Sequence, residues 1–175
     1  MNDPDIHISV QAEDFNFGAE YQRMTDELGE RVGAVVGFVG LVRDRNNKAG
    51  DGSAVTHLTL EHYPGMTEKS MQAIVLQAHE RWPLLATRVV HRVGTLAPGA
   101  QIVLVLVASA HRDAAFAGAE FVMDYLKTDA VFWKREATSA GATWIASTED
   151  DRQRRTAWDE QAVADGDGRE KTGDA

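Results

Sequence analysis

Apolar and polar residues alternate along Ile6-His7-Ile8-Ser9-Val10, the period of a strand with one buried face. Phe17 to Leu28 predicts a short helix, ended by Gly29. Gly33 to Val42 is apolar, β-branched and glycine-rich, which predicts a buried strand closely approached by another backbone or a ligand. The polar run Arg43 to Ser53, with Gly50 and Gly52, predicts a surface loop. Val55 to Tyr63 alternates again and is broken by Pro64-Gly65. Thr67 is the expected N-cap of a helix from Glu68 to Trp82, whose Met71, Ile74, Val75, Ala78 and Trp82 form one apolar stripe. Pro83 stops that helix.

Ala86 to Leu96 predicts a strand, Pro98-Gly99 a tight turn, and Gln101 to Ala110 a returning strand. The unbroken run Ile102 to Val107 implies burial on both faces. His111 to Lys127 reads as a second long helix, with Asp113 suited to its first turn. Phe132 to Ala137 and Thr143 to Ser147 read as a closing strand pair around Gly141. The chain turns charged from Thr148, and Ala164 to Ala175 has the composition of a disordered tail. No repeat or linker divides the chain, so residues 1–160 are expected to form one domain and 161–175 an acidic tail. The element order predicts an α+β fold, a mostly antiparallel sheet packed in two layers with two long helices.

Composition narrows the chemistry. A chain of 175 residues has room for a real core. A net charge of −9 predicts a bulk surface that repels nucleic acid and anionic membranes, so an anionic ligand needs a local cluster of cations. With no cysteine, thiolate nucleophiles, disulfides and cysteine-ligated metals are excluded. The N-terminus lacks a secretory pattern and the longest apolar run is too short to span a bilayer, which makes the cytoplasm the expected location. His57, Glu61 and His62 are the nearest approach to a metal cluster. On a strand, however, His57 and Glu61 stand about 13 Å apart and His62 faces away. Neither nucleotide-binding glycine motif is present, nor the G-x-S-x-G elbow of serine hydrolases.

Two basic constellations remain. Lys127 is placed near a helix C-terminus, where a cation is favoured. After a chain reversal, Lys134 shares a strand face with Phe132 and Glu136, while Trp133 and Arg135 take the other. Both lysines are thereby able to point into one pocket, although edge lysines also serve simply to deter aggregation. The second constellation, Ser109-Ala110-His111-Arg112, joins a buried strand to a helix N-terminus, a geometry suited to phosphate. His111 and Lys127 occupy opposite ends of one helix, about 24 Å apart. One ligand touching both would need a second copy of the chain.

Four separated blocks carry a family resemblance: Leu58 to Lys69 (LTLEHYPGMTEK), Ser109 to Arg112, Met123 to Lys127 (MDYLK), and Phe132 to Thr138 (FWKREAT). In order and spacing they resemble the large, catalytic subunit of molybdopterin synthase, from about residue 6 to about residue 160. The resemblance implies a hammerhead-like fold and a sulfurtransferase of molybdenum cofactor biosynthesis. It implies a homodimer within a heterotetramer, each copy receiving the C-terminal Gly-Gly thiocarboxylate of a small ubiquitin-like sulfur carrier. Sulfur passes to cyclic pyranopterin monophosphate to give the molybdopterin dithiolene, with no metal or organic cofactor. Carried over by position, Lys127 is catalytic and Lys134 assists it. Arg43, His111 and Arg112 bind substrate, and Phe38 and Met123 line the pocket for the carrier's tail.

Val131 and Thr148 depart from the family pattern, which often has proline and can have arginine there. Two other readings stay open. A non-catalytic module that docks a Gly-Gly-tailed carrier predicts binding without turnover. A generic binder of phosphorylated metabolites predicts ligand binding indifferent to any carrier.

Overall fold

The computed structural model describes residues 4–44, 54–130, 132–139 and 141–167, and the side chains of these up to residue 161. The first strand, β1 (Asp5–Gln11), leads to α1 (Phe17–Leu28) and then to β2 (Ala34–Leu41). The Asn16 side chain accepts a hydrogen bond from Ala19 N–H at the start of α1, and Gly29 closes it with a φ of 59°. β3 (Val55–His62), α2 (Met66–Arg81), β4 (Leu84–Arg92), β5 (Gly94–Leu96) and β6 (Gln101–Ser109) follow. Then come α3 (Arg112–Thr128), β7 (Phe132–Thr138), β8 (Gly141–Ile145) and α4 (Glu149–Asp167). Most of the expected Arg43–Ser53 loop, Val131, and residues 168–175 of the expected tail lie outside the described residues, whereas residues 161–167 of that tail are helical, as the end of α4.

The α+β class and the predominance of antiparallel pairing match the sequence reading, and the strands divide into two sheets. The first runs β1-β4-β6-β2, with β1 parallel to β4 and the other pairs antiparallel. The second, β5-β3-β7-β8, is antiparallel throughout. Alternation along β4 and β6 covers the first sheet on both faces. Val89, Val103, Val105 and Val107 meet Met71, Val75, Phe121 and Val122 of α2 and α3. Ala86, Val90, Leu104, Leu106 and Ala108 instead meet Met24 and Leu28 of α1. Each large apolar side chain buried in this way contributes about 1.5–3 kcal/mol.

Three sequence expectations are corrected. β2 is an edge strand rather than a buried one, with Phe38 40% and Leu41 53% exposed. Its glycines are nonetheless sites of close approach, since a Cβ on Gly37 would lie 2.7 Å from the Phe17 ring. The N-cap of α2 is Gly65, whose N–H donates to Glu68 Oε2 at 2.6 Å, while Thr67 is buried and its hydroxyl accepts from Tyr63 N–H. The single strand expected over Ala86–Leu96 is broken at Gly94, where a φ of 93° turns β5 out of the first sheet and into the second. That break lets one segment serve two sheets.

α4 is an element that hydrophobic periodicity did not predict. It packs on α3, where Tyr125 Oη donates to Asp159 Oδ1 at 2.6 Å and Trp158 Nε1 donates to Asp124 Oδ2 at 3.0 Å. Trp158 also meets Trp82 and Phe121 edge-on, with ring centroids 5.5 and 5.6 Å apart. One aromatic anchor and one phenol therefore dock a helix that is otherwise charged.

Candidate active site

The C-terminal turn of α3 presents Lys127, and β7 returns antiparallel to β3 with Lys134 opposite Leu60 and Ile145. Inward Phe132, Lys134 and Glu136 alternate with exposed Trp133 and Arg135, as the strand period requires. The outward Arg135 guanidinium lies 5.8 Å from the Trp144 ring centre. Lys127 and Lys134 line one cavity of about 380 Å³, walled by Trp133, Trp144 and Ile145. They also line an adjoining cavity of about 590 Å³ together with Arg43, Glu136, Asp151 and Arg154. A third, of about 390 Å³, joins at Lys127 and is lined by Phe38, Phe116, Met123 and Arg154. Lys127 is therefore where all three meet.

Burial holds the Lys134 ammonium below the usual lysine range; the carboxylate of Asp151 opposes that fall and the charge of Lys127 adds to it. Behind Lys134, His91 is buried and stacks on Phe132 with centroids 3.8 Å apart. Its Nδ1 lies 2.9 Å from the Arg92 carbonyl oxygen, so that nitrogen carries the proton and donates it. Burial pushes the His91 imidazole down to about 4, against the raising effect of that bond, with Lys134 and His62 lowering it further. His91 is neutral near pH 7 and adds no charge beside Lys134.

Asp151 was not singled out by the sequence reading, because the helix that carries it was not. Its Lys127-facing oxygen, Oδ1, lies 3.6 Å from Nζ. The other, Oδ2, accepts from Thr148 N–H at 3.0 Å and from Thr148 Oγ at 2.6 Å. The Thr148 hydroxyl accepts in turn from Asp151 N–H at 3.2 Å, closing a reciprocal cap at the start of α4. Thr148-x-x-Asp151 is thus the sequence signal that marks the helix. Arg154, one turn further on, reaches the cavities on both sides of Lys127.

Of the residues nominated from the sequence, Lys127, Lys134 and Arg43 share one cavity, and Phe38 and Met123 share the apolar one beside it. His111 and Arg112 are not with them. They stand at the opposite end of α3, about 24 Å away along the axis, with Arg112 exposed and its Nε 3.6 Å from Asp113 Oδ1. Among the described residues no group of three or more His, Cys, Asp or Glu side chains is placed to hold a metal ion, and no helix is long and apolar enough to cross a membrane.

The sequence model of a family described as "MoaE protein" matches residues 10–129. The molybdopterin synthase catalytic subunit of Vibrio cholerae is 53% identical over 155 residues, covering 89% of this chain and 99% of that protein. That of Escherichia coli K12 is 49% identical over 151 residues, covering 86% and 97%. A solved structure of molybdopterin cofactor biosynthesis protein E from Burkholderia multivorans has a TM-score of 0.72 and 44% identity, covering 88% of this chain and 97% of that one. With a cation-lined cavity flanked by an apolar one, and relatives matched over nearly their whole length, the chain belongs to the MoaE protein family.

Proposed function

We propose that this chain is the catalytic subunit of a molybdopterin synthase. In this reading it moves sulfur from the C-terminal thiocarboxylate of a small ubiquitin-like carrier to cyclic pyranopterin monophosphate, forming the dithiolene in the cytoplasm. The observation that carries the reading is the convergence on Lys127 of a cavity lined by Lys134 and Arg43 and an apolar cavity lined by Phe38 and Met123. The apolar cavity suits a narrow peptide tail ending in Gly-Gly, and the cationic one suits a phosphate-bearing acceptor. That the relatives are named as the catalytic subunit of a synthase supports a carrier as partner.

The roles follow from charge and burial. The thiocarboxylate sulfur displaces an oxygen substituent of the acceptor carbon, which leaves as water or as the freed phosphate oxygen. Water must then cleave the carrier's acyl C–S bond, leaving a carboxylate on the carrier and a thiol on the product. The tetrahedral intermediate places an oxyanion where Lys127 stabilises it. Lys134, held below the ordinary lysine range, accepts the proton that the attacking water loses. Arg43 binds the phosphate of the acceptor. His111 and Arg112 serve the site of a second copy, which makes the working unit a homodimer carrying two carriers.

The test mixes purified chain, thiocarboxylated carrier and cyclic pyranopterin monophosphate and follows dithiolene formation. Product with wild type and about 100- to 1000-fold less with Lys127→Ala is the expected result. Tight carrier binding with no product from wild type overturns the reading in favour of a docking module. Ligand binding indifferent to the carrier overturns it in favour of a generic phosphate binder.

A further inference from the structure

The first turn of α4 brings a fixed carboxylate to the lysine pair. One oxygen of Asp151 is taken up by the Thr148 backbone and hydroxyl, and this leaves the other 3.6 Å from Lys127 Nζ. The sheltered partner is the carboxylate, its side chain 19% exposed against 47% for Lys127. Lysine loses much side-chain entropy when ordered, so a four-carbon arm in a wide cavity takes up a defined position only against such an anchor.

We propose that Asp151 is a positioning residue of the sulfur-transfer site: locked by the cap of α4, its carboxylate holds the Lys127 ammonium where the three cavities meet. This role rests on the reading of Lys127 and Lys134 given above, and it extends that reading to α4. A carboxylate needed only for capping would satisfy Thr148 with one oxygen and direct nothing into the cavity.

The same charge acts on Lys134. Facing that side chain are Lys127 from α3, Asp150, Asp151 and Arg154 from α4, and Arg43 beyond β2. From its own strand Glu136 lines the same cavity, and from β4 the neutral ring of His91 lies close enough to feel the Lys134 charge. Asp151 is the carboxylate that resists the burial-driven fall of the Lys134 ammonium. Asparagine at this position keeps an oxygen to accept from Thr148 and removes the charge.

The test is steady-state sulfur transfer by the full chain with thiocarboxylated carrier, comparing wild type, Asp151→Asn and Asp151→Glu from about pH 5 to pH 9. For Asp151→Asn we expect kcat to fall roughly 10- to 100-fold, with KM for the carrier within about twofold of wild type. Its acidic limb of kcat should move to lower pH, because Lys134 has lost the neighbouring negative charge. Asp151→Glu should recover part of kcat and return the limb towards wild type. A wild-type kcat and limb in Asp151→Asn overturn the proposal, as does a rise in kcat, which would mark a restraint. A loss of kcat matched by lower thermal stability with the limb unmoved reduces Asp151 to a cap and also overturns it. No product from wild type overturns the sulfur-transfer reading and this role together; product from wild type with Asp151→Asn unaltered overturns this role alone.

Discussion

The phenol of Tyr125 donates a 2.6 Å hydrogen bond to Asp159 Oδ1, tying the helix that carries Lys127 to the helix that carries Asp151. The Arg155 guanidinium lies 5.2 Å from the Tyr125 ring centre and 2.8 Å from Asp159 Oδ2, so the phenol, the carboxylate and the cation form one junction. The junction has a thermodynamic signature. Burial and the Asp159 bond push the Tyr125 hydroxyl up from 10.0 to about 12. A group raised in the folded state contributes stability that is complete below pH 10 and is lost as pH rises towards 12.

Tyr125→Phe is expected to lower stability by about 1–2 kcal/mol at neutral pH, or about 3–6 °C in Tm. It should also abolish the part of the alkaline destabilisation between pH 10 and pH 12 that Tyr125 causes. Thermal melts of both proteins across that range check this. An alkaline slope identical in both would assign it to other groups.

His91 gives the matching prediction on the acid side. Its imidazole is held down at about 4, so the folded state disfavours the charged ring. Stability from this group is present above the ordinary histidine value of 6.5 and is lost as pH falls from there towards 4. His91→Phe preserves a ring to stack on Phe132 and removes the titration. It should flatten the urea-midpoint profile between pH 6.5 and pH 4, where wild type loses up to ~3 kcal/mol from this residue. An equally steep profile in the variant would refute the assignment.

Lys127→Ala is expected to lower dithiolene formation by about 100- to 1000-fold, the size of effect seen when one oxyanion donor is removed. Carrier affinity should survive, because Phe38, Phe116 and Met123 are untouched. Isothermal titration with the carrier, beside the activity assay, separates a damaged fold from lost chemistry.

His111 and Arg112 are too far from Lys127 within one chain to share its ligand, so their contribution is testable by mixing. Lys127→Ala and Arg112→Ala should each be nearly inactive alone. In the homodimer proposed above, subunit exchange leaves half the dimers carrying one of each and holding one intact site. About a quarter of wild-type activity should then return. No recovery would place Arg112 outside the site.

Much of the architecture was legible because its signals are local. α1 lies where its Asn16 cap and terminal Gly29 put it, and β6 is as apolar on both faces as the run Ile102 to Val107 implies. The shared cavity of Lys127 and Lys134 was equally readable, since a helix C-terminus and a strand period depend on neighbours in sequence. α4 was not legible by periodicity, because apart from Trp158 its described residues offer little apolar stripe to count. Only the Thr148-x-x-Asp151 cap announced it.

The sequence by itself determined the α+β class, most of the order of elements before α4, the ends of α1 and the identity of the paired lysines. Each of these is set by backbone sterics, capping and the burial preference of residues close together along the chain. The tertiary structure alone decided that the strands divide into two sheets at Gly94, that β2 is an edge, and that α4 brings Asp151 and Arg154 to Lys127. Those outcomes depend on which distant surfaces pack together, as when Trp158 closes on Trp82 and Phe121, and residue spacing alone carries no information about such contacts.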